Sequence, residues 1–142
     1  MSKTTRTAVA PFVLDTDSTF RWPVHVRVPD PTNPGGKLKT RFVAEFKHVD
    51  QARRLELLRE HREAIAETRD GDQDEQIEGL FSLSQRVLEE VLVGFVGVVD
   101  RGGNEVAFSP EAKRTLISHQ MVWPAIYAAY NEAISQQDRR GN

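Results

Sequence analysis

Residues 20–28 read FRWPVHVRV, with Phe20, Trp22, Val24, Val26 and Val28 alternating against Arg21, Pro23, His25 and Arg27. A period of two places every apolar side chain on one face, which is the pattern of a half-buried β-strand. The same alternation returns downstream. Leu38, Thr40, Phe42, Ala44 and Phe46 run against Lys39, Arg41, Glu45 and Lys47, and only Val43 falls out of pattern. Between the two runs lies PDPTNPGG at 29–36, whose prolines and glycines end a strand and let the chain reverse. Residues 20–48 therefore predict a β-hairpin. Pro23 has no backbone donor, so its strand belongs at a sheet edge, where a partner can be recruited.

Beyond the hairpin the apolar spacing becomes helical. Asp50 is a capping residue for a helix to about Asp70, on which Ala52, Leu55, Leu58, Ile65 and Ala66 trace a narrow stripe. The acidic, glycine-containing stretch 71–75 reads as a loop. A second helix is predicted from about Glu75 to Gly94, with Ile77, Leu80, Phe81, Ser84, Val87, Leu88, Val91, Leu92 and Phe95 at i, i+3, i+4 and i+7 spacing. DRGGNE then marks a turn or short hairpin within 97–108. Ser109-Pro110-Glu111 opens a third helix with a capping hydroxyl, a proline preset for the first turn and an acid at the positive end of the dipole. A fourth, from about Val122 to Gln136, aligns Trp123, Ile126, Tyr127, Tyr130 and Ile134. The expected fold class is α+β: an N-terminal hairpin or small antiparallel sheet packed against a mainly helical part of about four helices at 50–136. At 142 residues, one domain spanning 1–142 accommodates all of it.

Composition narrows the function classes. Nineteen Lys+Arg against 21 Asp+Glu give a formal charge of −2, so no overall field attracts a phosphate backbone, and nucleic acid is not an expected partner. The absence of cysteine removes disulfides and thiolate chemistry and suits a reducing cytoplasm. The longest apolar run, Val91 to Val99, is broken by Gly94 and Gly97 and is far shorter than the roughly 20 residues of a membrane span. No membrane association is expected.

Catalytic and metal motifs fail on their spacing. His25, His48, His61 and His119 fall in separate predicted elements, without the paired spacing of a helical metal site. His61, between Glu60 and Glu63, reads as part of a solvated charged face. In DGDQDE (70–75), Glu75 stands where a calcium loop needs glycine and Phe81 where it needs a bidentate acid. The Gly-Gly pairs at 35–36 and 102–103 lack a phosphate-loop context, and no nucleophile-elbow motif is present. The reading is of a non-enzyme without cofactor or metal. Large aromatics stand out instead. Trp22, Phe42, Phe46, Phe95, Trp123, Tyr127 and Tyr130 are the candidates for partner binding or self-assembly, because tryptophan and tyrosine anchor interfaces, with core packing as their ordinary alternative.

Taken together, FRWPVHVRVP, the Gly-Gly turn, TRFVAEFKHV and the stretch VGFVGVVDRGGNEVAFSPEAKRTLISHQMVWPAIYAAYNEAI resemble the tail assembly chaperones of long-tailed bacteriophages. That family carries a segment W-x-G-V-x-D-x-x-G-x-x-V-x-F-S before a helix and a final A-x-x-x-A-Y-x-x-A helix. Here Phe95 stands in the tryptophan position, followed by Gly97, Val98, Asp100, Gly103, Val106, Phe108 and Ser109; Ala125, Ala129, Tyr130 and Ala133 match the last helix. The resemblance covers roughly 20–48 and 87–134. It implies a protein that binds the long helical tape measure protein, keeps it soluble, gathers tail tube subunits, self-associates, acts in the bacterial cytoplasm and is absent from the mature virion. An adaptor or regulatory protein that binds one folded partner without catalysis is the alternative.

Overall fold

The computed structural model describes residues 9–15, 18–67 and 83–135. Strands β1 (Thr19–Pro29) and β2 (Lys37–Lys47) form the expected hairpin, paired antiparallel from Thr19↔Lys47 to Pro29↔Lys37. At its tip, the Asp30 carboxylate accepts hydrogen bonds from the Thr32 amide and hydroxyl, and the Gly36 amide donates to the Asn33 carbonyl at 2.8 Å. Gly35 takes a φ of +84°, a region that L side chains rarely adopt. The sheet order is β1-β2-β3, so β1 is an outer strand, as Pro23 requires.

The third strand corrects the helix expected over 75–94. Helix α1 spans Gln51–Glu67, and the described part of the next helix, α2, covers 83–91; the rest of that expectation, and the 71–75 loop, lie outside the described residues. The chain then passes directly into β3 (Leu92–Val96), antiparallel to β2. Val91, Leu92 and Phe95 fit a helical stripe, and regular alternation would put Leu92 and Phe95 on opposite faces of a strand; a bulge brings both to the core side, so period alone points to the helix. Two local facts decide for the strand. Gly94 within a helix costs about 1 kcal/mol relative to alanine, and in the sheet it sits opposite Glu45, whose carboxylate lies across the space a Cβ would need. Glu45 faces Gly94 while Phe46 faces Leu92, so Val93 is the extra residue of a bulge.

Helix α1 also turns a different face inward from the one its leucines suggest. Asp50 caps it, accepting from the Arg53 amide at 2.8 Å. The buried residues are Leu57 and His61, whereas Leu55 and Leu58 are exposed, as are Ala52 and Ala66. Arg53, Leu57 and His61 lie four residues apart and share one face, so Leu57 and a histidine are buried, with Arg53 partly covered, where a purely apolar stripe was expected.

The chain next folds back through a small hairpin within 97–108. The Val106 amide donates to the Val98 carbonyl at 2.8 Å, Val99 bridges Glu105, and the Asp100 carboxylate accepts from the Gly102 and Asn104 amides at 2.9 Å each. Helix α3 (Pro110–Ser118) starts as expected, with Ser109 Oγ accepting from the Ala112 amide at 3.0 Å. Helix α4 (Trp123–Ile134) closes the described fold.

The helices lie on the face that the alternation marked as apolar. Val24, Val26, Phe42, Ala44, Phe46, Leu92 and Phe95 meet Leu88, Val91, Ile117, Ile126, Ala129 and Tyr130 in one buried cluster. Each fully buried large side chain contributes roughly 1.5–3 kcal/mol. Phe46, fully buried in the middle strand, packs edge-on against Tyr130 at 5.3 Å and near Phe20 at 5.7 Å, joining sheet to α4.

Candidate protein-binding surface

The aromatics divide by burial. Phe42, Phe46, Phe95 and Tyr130 are core side chains in this chain, between 0% and 8% exposed. Trp22, Trp123 and Tyr127 are half-buried at the edge of the cluster. The division follows from what lies opposite each residue, which periodicity alone does not encode: both tyrosines border a narrow slot with Leu58, Val87 and Asn131, but the Tyr130 ring also packs on Phe46 in the middle of the sheet. Burial raises the Tyr130 hydroxyl above its ordinary value, Arg54 opposing in part.

Trp22 sits where β1 meets the end of α4. Its indole Nε1 donates to Glu132 Oε1 at 2.9 Å, and the ring borders an open groove shared with Phe20, His48 and Ile134. Beside this groove, among the described residues, β1 has a strand partner on one side only. A further apolar feature, not among the expected contact residues, lies nearby: in the segment before β1, Val9, Phe12, Val13 and Leu14 are 97%, 86%, 74% and 84% exposed. Four large apolar side chains in six residues without helical or strand periodicity were the available signal. Exposed apolar runs of this kind mark interaction sites more often than scattered single residues do.

Charges are arranged differently on the two sides of the sheet. On the helical side they are paired. Glu90 on α2 meets Arg53 at 3.3 Å and Lys47 at 3.4 Å, Arg53 also bonds Glu56 at 2.9 Å, and Arg86 reaches Glu60 at 3.3 Å. Burial alone would raise the Glu90 carboxyl, but the Arg53 hydrogen bond and the charges of Lys47 and Arg53 outweigh it and hold it low. His61, expected on a solvated face, is 8% exposed; burial and then the nearby Arg86 charge lower its pKa. On the other side of the sheet, Arg21, His25, Arg27, Lys39 and Arg41 are exposed.

Among the described residues, no group of three or more His, Asp or Glu side chains could hold a metal ion. His25 and His48 are exposed and lie on and just after the hairpin, His61 is buried on α1, and His119 ends α3, where Nδ1 accepts from the Met121 amide at 3.1 Å. No described helix is long and apolar enough to cross a membrane. What the arrangement offers is contact area: an apolar arm, an aromatic groove beside a strand edge, and a charged sheet face.

A family model described as phage tail assembly chaperone matches residues 8–142. The match runs through the hairpin, every described helix and β3, so the chain belongs to the phage tail assembly chaperones. No curated protein and no solved structure matches it.

Proposed function

We propose that this chaperone binds the tape measure protein of its phage, keeps that long helical chain soluble and recruits tail tube subunits around it. It does so without catalysis, as a homo-oligomer in the bacterial cytoplasm, and leaves the particle before the virion matures. The observation that carries this reading is family membership over residues 8–142. The geometry supports it by offering apolar surface outside the core: the exposed arm at Val9, Phe12, Val13 and Leu14, and the half-buried Trp22, Trp123 and Tyr127. Amphipathic helices of a client are held by such surfaces, with aromatic rings as anchors. Phe42, Phe46, Phe95 and Tyr130 contribute by holding the layers together beneath them.

The test is co-expression with the tape measure protein of the same phage, followed by light scattering on the purified material. The expected result is a soluble complex larger than either chain alone, diminished by Phe12→Ser with Leu14→Ser. A tape measure protein that stays insoluble beside abundant folded chaperone would overturn the proposal, and capture of a single folded regulator instead would favour the adaptor reading.

A further inference from the structure

The open face of the β1-β2 hairpin is basic, and its register opposes like charges where Arg27 lies across from Lys39. His25 lies across from Arg41 at the next pair on that face, and Lys37 is one step beyond Lys39. All five are exposed, and among the described residues none makes a salt bridge, whereas Arg53, Arg86 and Lys113 on the helices do, as does Lys47 at the far end of β2, which reaches Glu90. Like charges directly opposite one another destabilise a strand pair. The chain as a whole is acidic, at −2, so this concentration of cations is local and does not follow from composition. A charged field that opposes the protein's own fold is matched by an anionic partner laid along it.

We propose that this ribbon face is the docking site for an acidic segment of the client protein. The inference rests on the chaperone reading and names the chemistry of the partner. Successive cations on one strand are two residues apart, about 7 Å along the chain, so the face matches carboxylates repeated at that spacing. Nucleic acid fits less well: the open-face positions around the basic cluster, Pro23, His25 and Arg27 with Lys37, Lys39 and Arg41, include no Phe, Tyr or Trp on which bases would stack, and the exposed Phe108 lies toward the other end, beside Arg21, Val43 and Glu45.

Lys39→Glu tests the proposal without endangering the fold, because it puts a carboxylate opposite Arg27. The probe is a fluorescent peptide alternating glutamate and serine, with its glutamine–serine counterpart and oligo(dT) as controls. The full chain should bind the glutamate peptide at least about tenfold more tightly than the glutamine peptide, and lose most of that preference between about 50 and about 500 mM salt. Lys39→Glu with Arg41→Glu should remove the preference while circular dichroism stays unchanged. Equal binding of the two peptides, or tighter binding of oligo(dT), would overturn it. So would salt-sensitive self-association of the chaperone alone that the same variant abolishes, since the occupant would then be a second copy. If the wild-type protein holds the tape measure protein soluble and the variant does so equally well, the docking site fails while the chaperone reading stands; if the wild-type protein fails, the reading itself fails.

Discussion

Trp22 on the outer strand donates its indole N–H to the Glu132 carboxylate on the last helix, 2.9 Å away and 110 residues later in the chain. This bond joins the first and last described elements across the rim of the core. A hydrogen bond to a charged group contributes about 1.5–3 kcal/mol. Trp22→Phe keeps a ring and removes the donor, so denaturant unfolding should record a loss near about 2 kcal/mol, packing included. Glu132→Gln, which retains an acceptor, should lose less. Equal stability of Trp22→Phe and wild type would show that the bond contributes nothing net.

Tyr127 and Tyr130 should separate under substitution. Tyr130 is 4% exposed and packs on Phe46, so Tyr130→Ala should cost about 3–5 kcal/mol, a large part of the stability of a domain this size. Tyr127→Ala, half-buried at the slot, should cost about 1 kcal/mol, within the common range for point substitutions, and leave a folded protein for client assays. Thermal melts of the two variants check the ordering.

The opposed cations of the hairpin make a prediction about the isolated protein. Replacing one of a like-charged cross-strand pair by its opposite adds a favourable pair and removes a repulsive one, so Lys39→Glu should stabilise the fold by about 0.5 kcal/mol. The gain should shrink as salt is raised. A melting temperature below that of wild type at low salt would contradict the register argument.

His61 predicts a specific acid sensitivity. Its folded pKa lies below the ordinary value of about 6.5 because burial and Arg86 disfavour the imidazolium. The unfolded chain therefore takes up the proton first as pH falls. Its contribution to stability is unchanged above about pH 7 and declines below about 6.5, levelling off once the folded state is protonated too. Glu90, held low, adds its own loss only in the lower window beneath the ordinary carboxylate value of 4.5. Melting temperatures between pH 7.5 and 5.5 should fall for wild type and fall less for His61→Gln.

How far the sequence could be read depended on how many residues each inference needed. The hairpin was legible because Phe20 to Val28 and Leu38 to Phe46 repeat their pattern over enough positions to exclude a helical period. Ser109 and Asp50 were legible because a cap is a local hydrogen bond within three residues. Leu92 to Val96 was not legible as a strand because its buried residues follow helical spacing, and the bulge at Val93 that reconciles them with the sheet exists only in the pairing with β2. The burial of His61 was not legible because its neighbours in sequence are charged, while in space it is covered and lies near Arg86 on α2.

The sequence by itself determined the α+β class, the hairpin and its apolar face, the two capped helix starts and the family resemblance. Each of these is written in short-range periodicity, turn chemistry or a motif. Only the tertiary structure decided that the sheet has a third strand, that α1 buries Leu57 and His61, and that Tyr130 is core while Tyr127 and Trp22 stand at its rim. It also brought His25 and Arg27 opposite Arg41 and Lys39. The physical reason is that burial and pairing belong to contacts between distant residues, which a stripe of apolar positions specifies as a face but not as a partner.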